Sequence, residues 1–194
     1  ISRELTAPLR LWQPADDRLE LRAGETLVRE GARAQGWMDV SDERHGVSVF
    51  VRHGWQQYPK LWSATPSADG VELTAHLWPA EAGLLDLQTS AAAKGPDDVA
   101  RGSAFGLAKT HELYYYFHPA EVAGPYLEQV AMALQESPVL TASPEWLGQT
   151  MAFGHLVSAA ANRIAPDAEG MLRNLFDWAA RQPVAFKWYG MLDF

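Results

Sequence analysis

The hydrophobic period of this chain changes once, near Phe117, and that change constrains the fold more than any single motif. Before it, short apolar runs rich in Val, Leu and aromatic residues are separated by turn residues, as in antiparallel strands. The predicted strands are Leu5–Trp12, Arg18–Arg22, Gly36–Val40, Gly46–His53, Lys60–Ser63, Val71–Trp78, Leu84–Leu87 and Ser103–Phe117. Ser41 to Gly46 and Ser67 to Gly70 read as hairpin loops, and 88–102 as a flexible loop. Many strands with short connections and no intervening long helix predict an antiparallel β-sandwich or barrel-like sheet.

After Phe117, His118-Pro119-Ala120-Glu121 places a proline and an acid at an expected helix start. Val122, Tyr126, Val130 and Leu134 then recur at helical spacing as far as Ser137-Pro138. Further helices are expected over 144–153, 156–164 and 167–181, the last with Met171, Leu172, Leu175, Phe176 and Trp178 on its apolar side. The fold class is therefore mainly β then α, with a sandwich domain over 1–118 and a helical region over 119–194.

Composition removes several function classes. A formal charge of −8 and the lack of any Lys/Arg-rich run argue against a nucleic-acid binder. The absence of Cys excludes disulfides, Cys-ligated zinc and thiol catalysis. No window approaches the 18 or so consecutive apolar residues of a membrane span. The chain begins at Ile1 and stops at Phe194 inside an aromatic segment, which reads as a piece excised from a longer protein.

Two stretches carry chemistry. In Gly106–Phe117, Lys109, His111 and Glu112 interrupt an otherwise aromatic and apolar strand. Alternation would put Lys109 and His111 on one face with Leu113, Tyr115 and Phe117, and Glu112 on the other with Tyr114 and Tyr116. Burying such groups without partners is costly, so this strand end belongs to a wet cleft or a polar network. The second stretch follows the strand from Gly46: Arg52, His53, Trp55, Gln56, Tyr58 and Lys60 bring cations, rings and an amide together. That set suits an acidic carbohydrate, with rings for a sugar face, Gln for hydroxyls and Arg or Lys for a carboxylate. The structural alternative is that Trp55 and Tyr58 cap the sheet and Arg52 forms an ion pair.

Metal signals are weak. The six His show no metal-ligand spacing, and no cofactor is expected; Asp97-Asp98 could supply oxygens to calcium. Ser103 lacks the strand-turn-helix context of a hydrolase nucleophile. Asp39, Asp42, Glu43, Glu72, Glu81, Asp86, Glu112 and Asp193 are the carboxylates from which a glycosidase pair could be drawn, and sequence alone leaves them unpaired.

Five ordered blocks span most of the chain: Gly36-Trp37; Gly46 through Arg52-x-x-Trp55-Gln56-x-x-Pro59-Lys60; Leu77-Trp78-Pro79; Lys109-Thr110-His111-Glu112; and Trp188-Tyr189-Gly190-x-x-Asp193-Phe194. In these blocks the chain resembles the exo-acting rhamnogalacturonan lyases and their ulvan-lyase-like relatives. His53-Gly54 depart from the acidic and aromatic pair expected there. The resemblance implies that the chain is a central β-sandwich, a helical connector and the first segment of an α/α toroid. It also implies β-elimination: loss of the C5 proton of a uronate and expulsion of the C4 oxygen. Such a proton is acidic enough only when a fixed cation neutralises the adjacent carboxylate. On this resemblance His111 is the base, with Tyr189 or His53 as acid, and Lys109, Arg52 and Lys60 supply positive charge. Trp55, Gln56, Tyr58, Glu112 and Asp193 would contact substrate. The implied partners are an acidic polysaccharide or oligosaccharide and the remaining domains of the parent chain, in an extracellular or periplasmic setting. The competing readings are a non-catalytic carbohydrate-binding or scaffolding sandwich, and a hydrolase of related architecture.

Overall fold

A computed structural model describes residues 5–83, 108–120, 122–136, 138–155, 157–158 and 166–189. Eight strands come first: β1 (Leu9–Ala15), β2 (Arg18–Ala23), β3 (Thr26–Gly31), β4 (Trp37–Ser41), β5 (His45–Val51), β6 (Lys60–Ser67), β7 (Gly70–His76) and β8 (Leu113–Pro119). Three α-helices follow: α1 (Gly124–Gln135), α2 (Pro144–Thr150) and α3 (Pro166–Ala185). The chain divides into two compact units, Ile1–Ser137 and Pro138–Phe194.

In the first unit the strands form a five-stranded sheet, ordered β3-β2-β1-β6-β7, and a three-stranded sheet, ordered β4-β5-β8. Every pairing is antiparallel. Leu19 from β2 and Trp62 and Ala64 from β6 share one core with Met38 from β4 and Val49 and Val51 from β5. The other face of the smaller sheet is covered by α1, where Phe50 packs on Leu127 and Ala131. Strand β5 is thus covered on both faces, which explains its nearly unbroken apolar run Val47-Ser48-Val49-Phe50-Val51.

Several strand and helix expectations are corrected. Strand β3 was not anticipated: it is an edge strand with all six residues exposed, so it lacks the half-buried alternation that reveals a strand. Strand β1 starts at Leu9 instead of Leu5 and runs on to Ala15. Of the strand expected over Ser103–Phe117, residues 108–117 are described, and these are regular only from Leu113. Its partner β5 ends at Val51, which pairs with Leu113, so 108–112 has no ladder to join. His118 and Pro119 end β8 instead of starting a helix; they pair with Gly46 and His45, and α1 begins at Gly124. The expected strand Leu84–Leu87 and the loop 88–102 lie outside the described residues, as do Asp97, Asp98 and Ser103.

A polar network ties the smaller sheet together on its helix-facing side. Asp39 accepts hydrogen bonds from the hydroxyls of Ser48 (2.5 Å) and Ser41 (3.1 Å), and its Oδ1 lies 3.0 Å from Nε2 of His118. Nδ1 of His118 is 2.8 Å from the carbonyl of Ala120. Gly46 is required beneath this ring: a Cβ there would stand 2.0 Å from Cε1 of His118.

In the second unit, α2 opens with Ser143 accepting from the Trp146 N–H and with Pro144 in the first turn, both helix-start signals. The expected helix over 156–164 is not seen at Val157 and Ser158, its described residues. The residues expected on the apolar side of α3, Met171, Leu172, Leu175, Phe176 and Trp178, are 55–73% exposed. Among the described residues no helix is long and apolar enough to cross a membrane.

Candidate functional site

The loop between β5 and β6 brings the predicted site residues of the first unit into relation with one another. It is anchored from two sides. The N–H of His53, a residue with φ of 55°, donates to Oε1 of Gln135 on α1 (2.6 Å), while Nε2 of Gln135 donates to the Val51 carbonyl (3.1 Å). On the core side Gly54 lies against Trp62, where a Cβ would come within 2.9 Å of the indole. A side chain at Gly54 would therefore displace the largest buried ring of the core.

At the end of this loop Lys60 is wholly buried, the first residue of β6. Its ammonium donates to the carbonyls of Gln57 and Pro59, the latter at 3.2 Å. Lys109 reaches the same Gln57 carbonyl at 3.5 Å, so two ammonium groups share one acceptor. Neither forms an ion pair with a carboxylate among the described residues. Burial, reinforced by the charge of Lys109, pushes the Lys60 pKa down to about 7. Burial also lowers that of Lys109. His111 is lowered too, first by burial and then by Lys60 and Lys109, which favours its neutral form. The result is an imidazole able to accept a proton beside two amines able to carry positive charge.

The buried polar atoms without a partner among the described residues concentrate here. They are Nε of Arg52, Oε1 of Gln56 and of Gln57, Nδ1 of His111, and Nε1 of Trp62 just behind the loop. Buried polar atoms are nearly always paired, so such a concentration marks this region as chemically distinct from the rest of the unit.

Arg52 and Glu112 form a separate, ion-paired group in which Nε of Arg52 has no partner among the described residues. Nη1 of Arg52 donates to Oε2 of Glu112 at 2.9 Å, and the hydroxyl of Tyr114 donates to the same oxygen at 3.0 Å. These two bonds, Arg52 first, hold the Glu112 carboxyl below its usual range. The backbone adds a bond from the Arg52 N–H to the Glu112 carbonyl (3.0 Å), closing the sheet end. Trp55 has the guanidinium of Arg33 over its ring at 3.9 Å, and Tyr58 is partly exposed on the loop. Tyr189 belongs to the second unit, where its N–H donates to the Lys187 carbonyl. Asp193 lies outside the described residues, as does Asp86.

Of the other carboxylates singled out from the sequence, Glu43 is exposed in the β4–β5 turn, and four more are engaged in local structure. Asp39 holds the His118 network, Asp42 accepts the Arg44 and His45 N–H groups of its turn, and Glu81 pairs with Arg10. Glu72 accepts from Thr74. No group of three potential metal ligands is found among the described residues. Gln57 and Gln135 were missed by the sequence reading. Gln57 had one available signal, its place beside Gln56 in the polar loop; Gln135 had none, being one more polar residue at a helix end.

The fold and site define a two-sheet antiparallel protein with a cation-rich loop site, followed by helices. Neither a protein-family model nor a curated protein matches this chain in sequence.

Proposed function

We propose that this chain is part of a polysaccharide lyase that cleaves a uronic-acid-containing polysaccharide, of rhamnogalacturonan or ulvan type, by β-elimination. The observation that carries the reading is the meeting of Lys60 and Lys109 on the Gln57 carbonyl beside a His111 held toward neutrality. A uronate carboxylate placed against Lys109 is neutralised as charge develops on it. His111 takes the C5 proton; the C5–H electron pair becomes the C4=C5 bond, and the C4–O bond breaks toward the leaving oxygen. An acid, His53 in this reading, protonates that oxygen. Lys60, buried behind the loop, acts through Lys109 and His111 by raising the local positive field. Arg52 is held by Glu112 and shapes the sheet end, while Gln56, Tyr58 and Trp55 offer contacts to neighbouring sugars. In the same reading the helices of the second unit begin an α/α toroid of a secreted parent enzyme.

The test is ultraviolet absorbance of the unsaturated uronate formed on rhamnogalacturonan and on ulvan by the parent protein. Wild type should generate the signal, and His111→Ala should lower its rate by about 10²–10⁴-fold, the usual worth of a positioned base. Activity unchanged in His111→Ala would remove this cluster from the chemistry. Saturable binding of the polymer with no product would replace the lyase with a carbohydrate-binding sandwich.

A further inference from the structure

A cavity of about 250 Å³ lies in the first unit between the β3–β4 connection, the β5–β6 loop and the last turns of α1. Its walls are mostly apolar: Trp55, Ala34, Ala131 and Met132. Its charged groups are Arg33 and Glu136. The connection that carries Arg33 is pinned on both sides by the buried amide of Gln13, which donates to the Ala32 carbonyl (2.9 Å) and accepts from the Ala34 N–H (2.6 Å).

The polar atoms around the cavity are mainly donors. Among the described residues, the hydrogen bonds of Arg33 use only Nε, on the Asp16 carbonyl at 3.2 Å. Its contact with the Trp55 ring uses charge rather than an N–H, so the two terminal nitrogens keep their donors. Gln35 accepts from the Trp37 indole N–H through Oε1 at 3.1 Å, which fixes its amide and leaves Nε2 as a donor. Gln135 has both amide ends committed to the backbone. A ligand rich in hydroxyls would find too few partners here, whereas an anion would meet a pre-oriented guanidinium in an apolar setting.

We propose that this cavity binds a small monocarboxylate with an apolar body, its carboxylate on Arg33 and Gln35 and its body against Trp55, Ala131 and Met132. The volume sits just under the range of roughly 300–1,000 Å³ typical of small-molecule sites, which limits the ligand to about one ring. Glu136 repels a second negative charge and so selects against polyanions. This site is distinct from the reaction centre of the lyase reading, because Lys60, Lys109 and His111 do not line it, although Trp55 belongs both to it and to the sugar contacts of that reading.

The experiment is a titration of the full chain with phenylacetate and with its neutral counterpart phenylacetamide, followed by calorimetry and by the indole N–H resonances. Phenylacetate should bind saturably and move the Trp55 indole signal, and phenylacetamide should bind at least about tenfold more weakly, the worth of one charge-assisted pair. Arg33→Gln should erase that preference, and Glu136→Gln should strengthen phenylacetate binding severalfold; both residues are exposed, so both variants should fold. Equal binding of the two compounds, binding indifferent to Arg33→Gln, or no saturation by about 10 mM would overturn the proposal.

Discussion

Two histidines on or beside β8 show how the same side chain is used in opposite ways. His118 has an acceptor at each ring nitrogen, Asp39 and the Ala120 carbonyl, and a glycine beneath its ring. His111 has a buried Nδ1 with no partner among the described residues, and after burial it is the charges of Lys60 and Lys109 that disfavour its protonation. The first is a finished network that holds a sheet to a turn; the second is uncompensated. A buried polar group whose partners are complete contributes to the fold, and one whose partners are not marks a place where stability has been given up.

This contrast can be broken most directly at the finished network. His118→Leu removes a donor from Asp39 and should cost about 3 kcal/mol, because it leaves a mostly buried carboxylate short of partners. Gly46→Ala should cost about as much by driving a methyl into the same ring. Both are read as shifts in denaturant midpoint. His111→Ala should change stability by less than about 1 kcal/mol in the same assay, since little holds that ring. A loss at His111 equal to that at His118 would erase the distinction.

The pH dependence sharpens it. Below pH 7 Lys60 is protonated in both the folded and the unfolded chain, so the burial penalty on its charge is fully present. Between about pH 7 and its ordinary 10.5, the unfolded chain keeps the proton and the folded one releases it, so stability rises with pH. Lys60→Met should therefore be stabilising by about 1–2 kcal/mol at pH 6, with the advantage shrinking as the pH approaches 10. Equilibrium unfolding at pH 6 and pH 9.5 checks the sign. The lyase reading adds that the rate should rise with pH through a His111 pKa below 6.5 and fall as the lysines lose their protons. Gln135→Leu, which frees the His53 N–H and the Val51 carbonyl, should cost about 1–2 kcal/mol, more than His111→Ala and less than His118→Leu.

Much of this architecture was legible in the sequence. The order of strands before helices, both hairpin loops and the α1 and α3 segments follow from apolar spacing, which is a local property. Segments 52–60 and 109–112 also stood out in the sequence, because ionisable residues at the ends of apolar strands demand an explanation. Strand β3 was not, since an exposed edge strand carries no burial pattern. Nor could spacing tell that His118 pairs with β5 instead of starting a helix, as the decisive partners, Asp39 and Gly46, lie on other strands.

The sequence by itself thus determined most of the strands and helices and which side chains must be accounted for, because period and turn chemistry act over a few residues. Only the tertiary structure decided that Lys60 and Lys109 share the Gln57 carbonyl, that Arg52 pairs with Glu112, and that Arg33 covers Trp55. The physical reason is that charge compensation and desolvation depend on partners distant in the chain, which local spacing does not encode.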